Sequence, residues 1–230
     1  FYHYSLSVSY LDDGEQVEGS SFKSPSFTGR LGLLNNRNFE INSTIRYSHI
    51  ESSSFPDDSG GPEFAVIRSV GRSNIDQLLL GVDLTHEILP WWEYRLELAY
   101  YNNKEKLSSP GVAPGIRDPF GIPPTSSDND FKRYDVNLVN TFTISKGITL
   151  AAGLEAEMED GKSNGEIFLG APVPTSFTLN RYILSPYAEI QFSAVENLYA
   201  VIGGRLDFPE GFNDAFSPRA GLTYKIAPTD

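Results

Sequence analysis

The chain of 230 residues has no cysteine and a single methionine. Without cysteine there can be no disulfide framework, no thiolate metal centre and no thiol nucleophile. No run approaches the roughly 18 consecutive apolar residues of a membrane-spanning helix. Basic side chains are also scarce: 18 Lys and Arg stand against 30 Asp and Glu, a formal charge of −12. A nucleic-acid-binding face needs a basic stripe to neutralise phosphates, so that class is excluded. Neither an initiator methionine nor a charged-then-apolar leader precedes Phe1, so a processed or excised piece is expected. Aromatic residues, by contrast, are plentiful: 15 Phe, 12 Tyr and 2 Trp.

The dominant pattern is alternation with a period of two. Tyr2, Tyr4, Leu6, Val8 and Tyr10 share one phase, while His3, Ser5, Ser7 and Ser9 share the other. Successive strand side chains point to opposite faces, so such a segment is a strand with one apolar and one polar face. The same rhythm recurs around Phe27–Leu33, Phe39–Ser48, Gln77–Thr85, Trp92–Tyr100, Arg133–Phe142, Ile148–Met158, Leu184–Phe192, Leu198–Asp207 and Arg219–Ile226. Ten strands of about 9 to 12 residues are expected, the length a tilted strand needs to cross a bilayer. Pro186 falls inside one of them, where it cannot donate a ladder hydrogen bond, and so predicts a bulge or a shifted boundary.

The connections alternate as well. Residues 35–38, 88–90, 145–147 and 193–197 read as tight hairpin turns. Longer segments near 11–25, 51–74, 103–130, 159–180 and 208–216 hold most of the Gly, Pro, Ser and Asp. Short turns at one end and long loops at the other describe an outer-membrane barrel. The polar phase supports this reading: Arg95 lies between Glu93 and Glu97, Arg133 near Asp135, and Arg205 near Asp207. Such charges suit a wet lumen in which they meet across strands. Tyrosines and tryptophans gather at strand ends, where amphipathic rings favour the membrane interface. The competing reading is a soluble β-sandwich such as a carbohydrate-binding module, whose apolar rows would pack against a second sheet. A small, closed, porin-like channel is a third.

Residues 197–226 are more specific. Asn197-Leu198-Tyr199-Ala200-Val201-Ile202-Gly203-Gly204-Arg205-Leu206-Asp207 is followed by Phe212 and by Phe216-Ser217-Pro218-Arg219-Ala220-Gly221-Leu222-Thr223-Tyr224-Lys225. This stretch resembles a barrel hairpin of TonB-dependent outer-membrane receptors, in which "aGxRxD" is followed by a loop and "fSPRxGLxYK". The rest of the chain agrees in strand rhythm only. The resemblance implies an all-β, antiparallel, up-and-down transmembrane β-barrel segment, about ten strands of a 22-strand type barrel, forming one domain over residues 1–230. It also implies residence in a Gram-negative type outer membrane and uptake of a scarce nutrient chelate: siderophore-bound iron, haem, cobalamin or similar. The expected partners are outer-membrane lipid, the small-molecule chelate, and the TonB complex through a plug. No plug is recognisable here, so the chain reads as the middle of a larger receptor.

An enzyme is not expected. Ten-stranded omptin-type proteases need histidine and carboxylates meeting at the outer rim, whereas His49 and His86 fall in the apolar phase and His3 lies far from that rim. Ligand contacts are expected from the Pro-rich loop and the upper lumen, with Tyr101, Arg117 and Phe120 as first candidates. Arg95, Arg133 and Arg205 are candidates on the lumen wall, where they either attract an anionic chelate or sit in ion-pair ladders with neighbouring Glu and Asp. No resident cofactor is expected beyond loop-bound calcium, for which Asp57, Asp58, Asp128 and Asp130 are weak candidates. Calcium takes six to eight oxygens, but none of these runs has EF-hand spacing.

Overall fold

The computed structural model describes residues 1–35, 38–56, 61–116, 119–195 and 197–226. Ten strands follow one another: β1 (Tyr2–Asp12), β2 (Ser21–Asn35), β3 (Phe39–Ser54), β4 (Gly71–Leu89), β5 (Trp92–Ser109), β6 (Thr125–Ser145), β7 (Ile148–Phe168), β8 (Pro172–Val195), β9 (Leu198–Pro209) and β10 (Ala215–Tyr224). They form one antiparallel sheet in simple sequential order. The sheet is open, because β1 pairs only with β2 and β10 only with β9. A closed ten-strand channel is therefore not what this chain forms. A sandwich is excluded too: the backbone of each strand lies beside only its sequence neighbours, and among the described residues no apolar side chain is buried.

Several strands run far beyond the expected 9 to 12 residues, reaching 21 in β6 and β7 and 24 in β8. The segment 159–180, expected as a loop, is mostly a β7–β8 ladder that closes at Phe168 opposite Pro172. The Pro-rich connection is likewise shorter than 103–130, since β5 continues to Ser109 and β6 begins at Thr125. Beyond the membrane both faces of a strand meet water or polar headgroups, so apolar-polar alternation fades while backbone pairing continues. At the opposite end the turns are tight. Ser145 pairs with Ile148 across Lys146-Gly147, and Gly147 takes the left-handed conformation that this turn requires, with φ of 79°. Pro186 produces neither bulge nor boundary. It pairs with Leu154 on β7, and the β8–β9 ladder merely skips residues 185 and 186 before resuming in the same register.

The apolar rows all lie on one face, and their ends carry rings. Tyr10, Phe27, Tyr47, Tyr100, Tyr134 and Tyr182 top the apolar runs of their strands. At the lower end Trp91, Trp92 and Phe142 stack at centroid distances of 6.0 to 6.4 Å, and Phe39, His86 and Tyr94 meet edge to face. Rings at both limits of an apolar band are the interfacial girdles of a membrane sheet. Register reveals strand tilt. The row Leu6, Gly29, Ile45, Leu80, Tyr100, Tyr134, Met158, Tyr182 starts in the middle of the β1 apolar run and ends at the upper girdle. Hydrogen-bonded rows climb in this way only when strands are inclined to the membrane normal, as barrel closure demands.

Candidate functional site

The polar rows line the opposite face, and their charges are joined into clusters that follow one another across the strands. On β4–β6, Arg95 holds Asp83 at 2.8 Å and Glu97 at 2.7 Å. Asn137 donates to Glu97 at 2.9 Å, and the Tyr187 hydroxyl donates to Asn137 at 2.9 Å. On β7–β9, Arg205 bridges Glu155 and Asp207, both at 2.6 Å, while Ser185, the one fully buried side chain among the described residues, donates to Asp207. Tyr187 reaching Asn137 and Arg205 reaching Glu155 each cross an intervening strand, which a concave wall permits. Arg219 of β10 extends the belt to Glu189 at 3.0 Å.

Above this belt lies a denser cluster. Arg133 meets Asp135 at 3.0 Å and Glu157 at 2.6 Å, with Glu159 at 3.7 Å. Arg181 meets the same two glutamates at 3.1 and 2.8 Å. The side chains of Glu157 and Glu159 are only 12% and 13% exposed, so each depends on these guanidiniums for its hydrogen bonds. Arg95, Arg133 and Arg205, expected on the lumen wall, are all there, and all three are engaged in ion-pair ladders. Arg30 and Arg46 lie on the same face of β2 and β3 without a carboxylate partner among the described residues.

Tyr101 faces inward from β5 rather than from a loop; its hydroxyl accepts from Gln77 at 3.2 Å and its ring lies 6.3 Å from Phe131. Phe120 is in the β5–β6 connection and highly exposed. Arg117, Asp57 and Asp58 lie outside the described residues. Asp128 and Asp130 are on β6, not in a loop, and point outward beside Lys106 and Lys132, each at 3.6 Å. Among the described residues, no three His, Asp or Glu are grouped so as to hold a metal ion.

Sequence reasoning missed Arg181. It stands two strand periods before Ser185, so extending the polar phase backwards would have included it. Phe131, Phe177 and Leu179 were missed because they break the polar phase above the membrane. His49, in the apolar phase as expected, sits above Tyr47 and outside the membrane-spanning part of β3. Its ring nitrogens meet Asp76 at 2.8 Å and Glu51 at 3.1 Å. Hydrogen bonds to Asp76 and then Glu51 raise the imidazole pKa above its usual range. Bonds from Tyr47 and His49 lower that of Asp76.

A family model described as "TonB dependent receptor-like, beta-barrel" matches residues 2–230. Solved structures share the fold at low identity. The alcaligin outer-membrane receptor FauA from Bordetella pertussis is 16% identical with a TM-score of 0.70, covering 99% of this chain and 36% of that one. The ferripyoverdine receptor of the Pseudomonas aeruginosa outer membrane, bound to ferripyoverdine, is 16% identical with a TM-score of 0.75, covering 98% and 36%. The RagAB peptide transporter is 13% identical with a TM-score of 0.68, covering 97% and 32%. The chain thus spans about a third of the length of these structures. No curated protein matches the sequence.

Proposed function

Because the chain belongs to the TonB-dependent receptor β-barrel family, we propose that it forms part of the wall of an outer-membrane receptor that imports a scarce nutrient chelate, such as siderophore-bound iron, haem or cobalamin. The ten strands act as one domain within a longer barrel, and a plug elsewhere in the protein couples release of the cargo to the TonB complex. The observation that carries this reading is the division of one sheet into a ring-bordered apolar face and a polar face studded with ion-pair clusters. Lipid takes the first and a hydrated lumen the second. The upper inner wall around Tyr101, Arg133 and Arg181 is where cargo arriving from outside first meets the barrel. The ion-pair belt below it keeps the wall rigid.

The test is uptake by cells carrying or lacking the full-length receptor, grown under nutrient restriction with a panel of metal chelates. Uptake of at least one chelate is expected to require both the receptor and a functional TonB complex. If every chelate enters equally well without the receptor, the proposal fails.

A further inference from the structure

Above the upper girdle the two faces of the sheet exchange character. Lys104, Lys106, Lys132 and Lys162 point outward, whereas Tyr101, Phe131, Leu179, Phe177 and Val173 point inward. Phe177 and Leu179 remain 65% and 58% exposed, and an apolar patch on a wetted wall marks a contact surface. Between these side chains, β7 offers only Gly161 and Ser163, while the Thr175 hydroxyl covers Gly165 one step further up. Gly161 pairs with Phe131 on one side and Leu179 on the other. Ser163 pairs with Phe177. The backbones of β6 and β8 lie about 9.6 Å apart across β7, from the usual inter-strand spacing. Once the wall side chains are placed, a gap about one ring thick, roughly 3.5 Å, remains between them.

We infer that this trough, floored by Gly161 and Ser163 and walled by Phe131, Leu179 and Phe177, receives a flat ring of the cargo that carries no negative charge. The inference rests on the receptor reading above and specifies the cargo class. Charge complementarity selects the ring. Around the trough the inner face presents Glu105, Asp135, Glu157 and Glu159 against Arg133 and Arg181, and every lysine of β5–β7 is on the other face. Both arginines are bound by carboxylates that outnumber them, and although Arg181 Nε is left without a hydrogen-bond partner, the surplus negative charge disfavours an anion here. The inner-face guanidiniums without a partner among the described residues, Arg30 and Arg46, lie on β2 and β3, three or more strands from β6.

The test uses the full-length receptor in detergent and three ferric complexes: a neutral trishydroxamate with alkyl arms, a neutral trishydroxamate with aryl arms, and a triply anionic triscatecholate. The aryl complex is expected to bind at least tenfold more tightly than the alkyl one. Gly161→Val fills the floor and is expected to lower the aryl affinity at least fivefold more than the alkyl affinity. This variant should fold: an added Cβ meets Phe131 and Leu179 at ordinary contact distances of 3.8 and 3.9 Å, and valine suits a strand. Phe131→Leu is expected to lower the aryl preference as well. The inference is overturned if wild-type protein shows no aryl preference, if neither variant changes it, or if the trianion binds most tightly and loses affinity in Gly161→Val. Uptake that persists in cells carrying such an unaffected variant leaves the receptor reading standing. Loss of receptor-dependent uptake altogether is a different result.

Discussion

Two inward-facing glycines of the membrane-spanning band give a matched pair of substitutions. A Cβ on Gly153 would overlap the ring and hydroxyl of Tyr187, its partner on β8, and come within 2.8 Å of the Leu138 carbonyl oxygen. A Cβ on Gly81 meets nothing within 4 Å. Gly153→Ala therefore pushes Tyr187 off its perch and breaks its hydrogen bond to Asn137, a loss of about 1 kcal/mol. The Leu138 carbonyl belongs to the ladder and cannot swing aside, which adds roughly 1–3 kcal/mol of crowding. Against this stands about 0.5 kcal/mol gained from the stiffer unfolded chain. The net cost is about 1.5–3.5 kcal/mol, whereas Gly81→Ala gains about 0.5 kcal/mol from the same entropy effect. Urea unfolding of the two full-length variants in micelles would then separate them by about a hundredfold in folding equilibrium. In a Tyr187→Ala background the Gly153→Ala cost should shrink to the carbonyl contribution. Equal stabilities for the two alanine variants would refute the packing described here.

Glu157→Gln removes the charge shared by Arg133 and Arg181. Glu157 is 12% exposed but its partners are 40% and 39% exposed, so the expected loss is about 1–2 kcal/mol, between exposed and buried ion pairs, measured by the same unfolding assay. The His49 link at the outer rim is pH-dependent. Its raised pKa means that its stabilisation is fully present below the ordinary imidazole value of 6.5 and fades as pH rises through the folded value. The lowered Asp76 pKa means that its own contribution fades on the acid side, as pH falls below 3.8 and through the folded value. The melting temperatures of wild type and His49→Gln should accordingly differ most below the ordinary imidazole value and draw together as pH rises through the raised folded value; a gap independent of pH contradicts this.

The strand count, the order of the strands and the facing of the membrane-spanning rows were legible because lipid and lumen impose a strict period of two. Leu96, Leu98 and Tyr100 against Arg95, Glu97 and Tyr101 leave no other assignment. The pattern failed where that constraint ends. The upper parts of β7 and β8 meet polar surroundings on their outer face, so Asp160, Lys162 and Asn164 stand where apolar residues stand lower down, and the segment read as a loop. Asp128 and Asp130 were misplaced for the same reason. The arginines of the wall were legible one by one, from acidic residues two positions away. The pairing of Arg133 and Arg181 through Glu157 and Glu159 was not, because it depends on register across three strands. The glycine-floored trough was invisible for a related cause: Gly161 is informative only when Phe131 and Leu179 are known to flank it.

The orientation of the sheet is tested most directly by nitroxide labels placed one at a time at residues 96 to 101 of β5. The chain has no cysteine of its own, so each label site in this segment is unique. In lipid bilayers, collision with dissolved oxygen should be high at Leu96, Leu98 and Tyr100 and low at Glu97, Ala99 and Tyr101. Collision with a water-soluble nickel chelate should be negligible at Leu96 and Leu98. Oxygen accessibility without a two-residue period, or nickel accessibility at Leu96 and Leu98, would contradict a lipid-facing apolar surface and a wet inner wall.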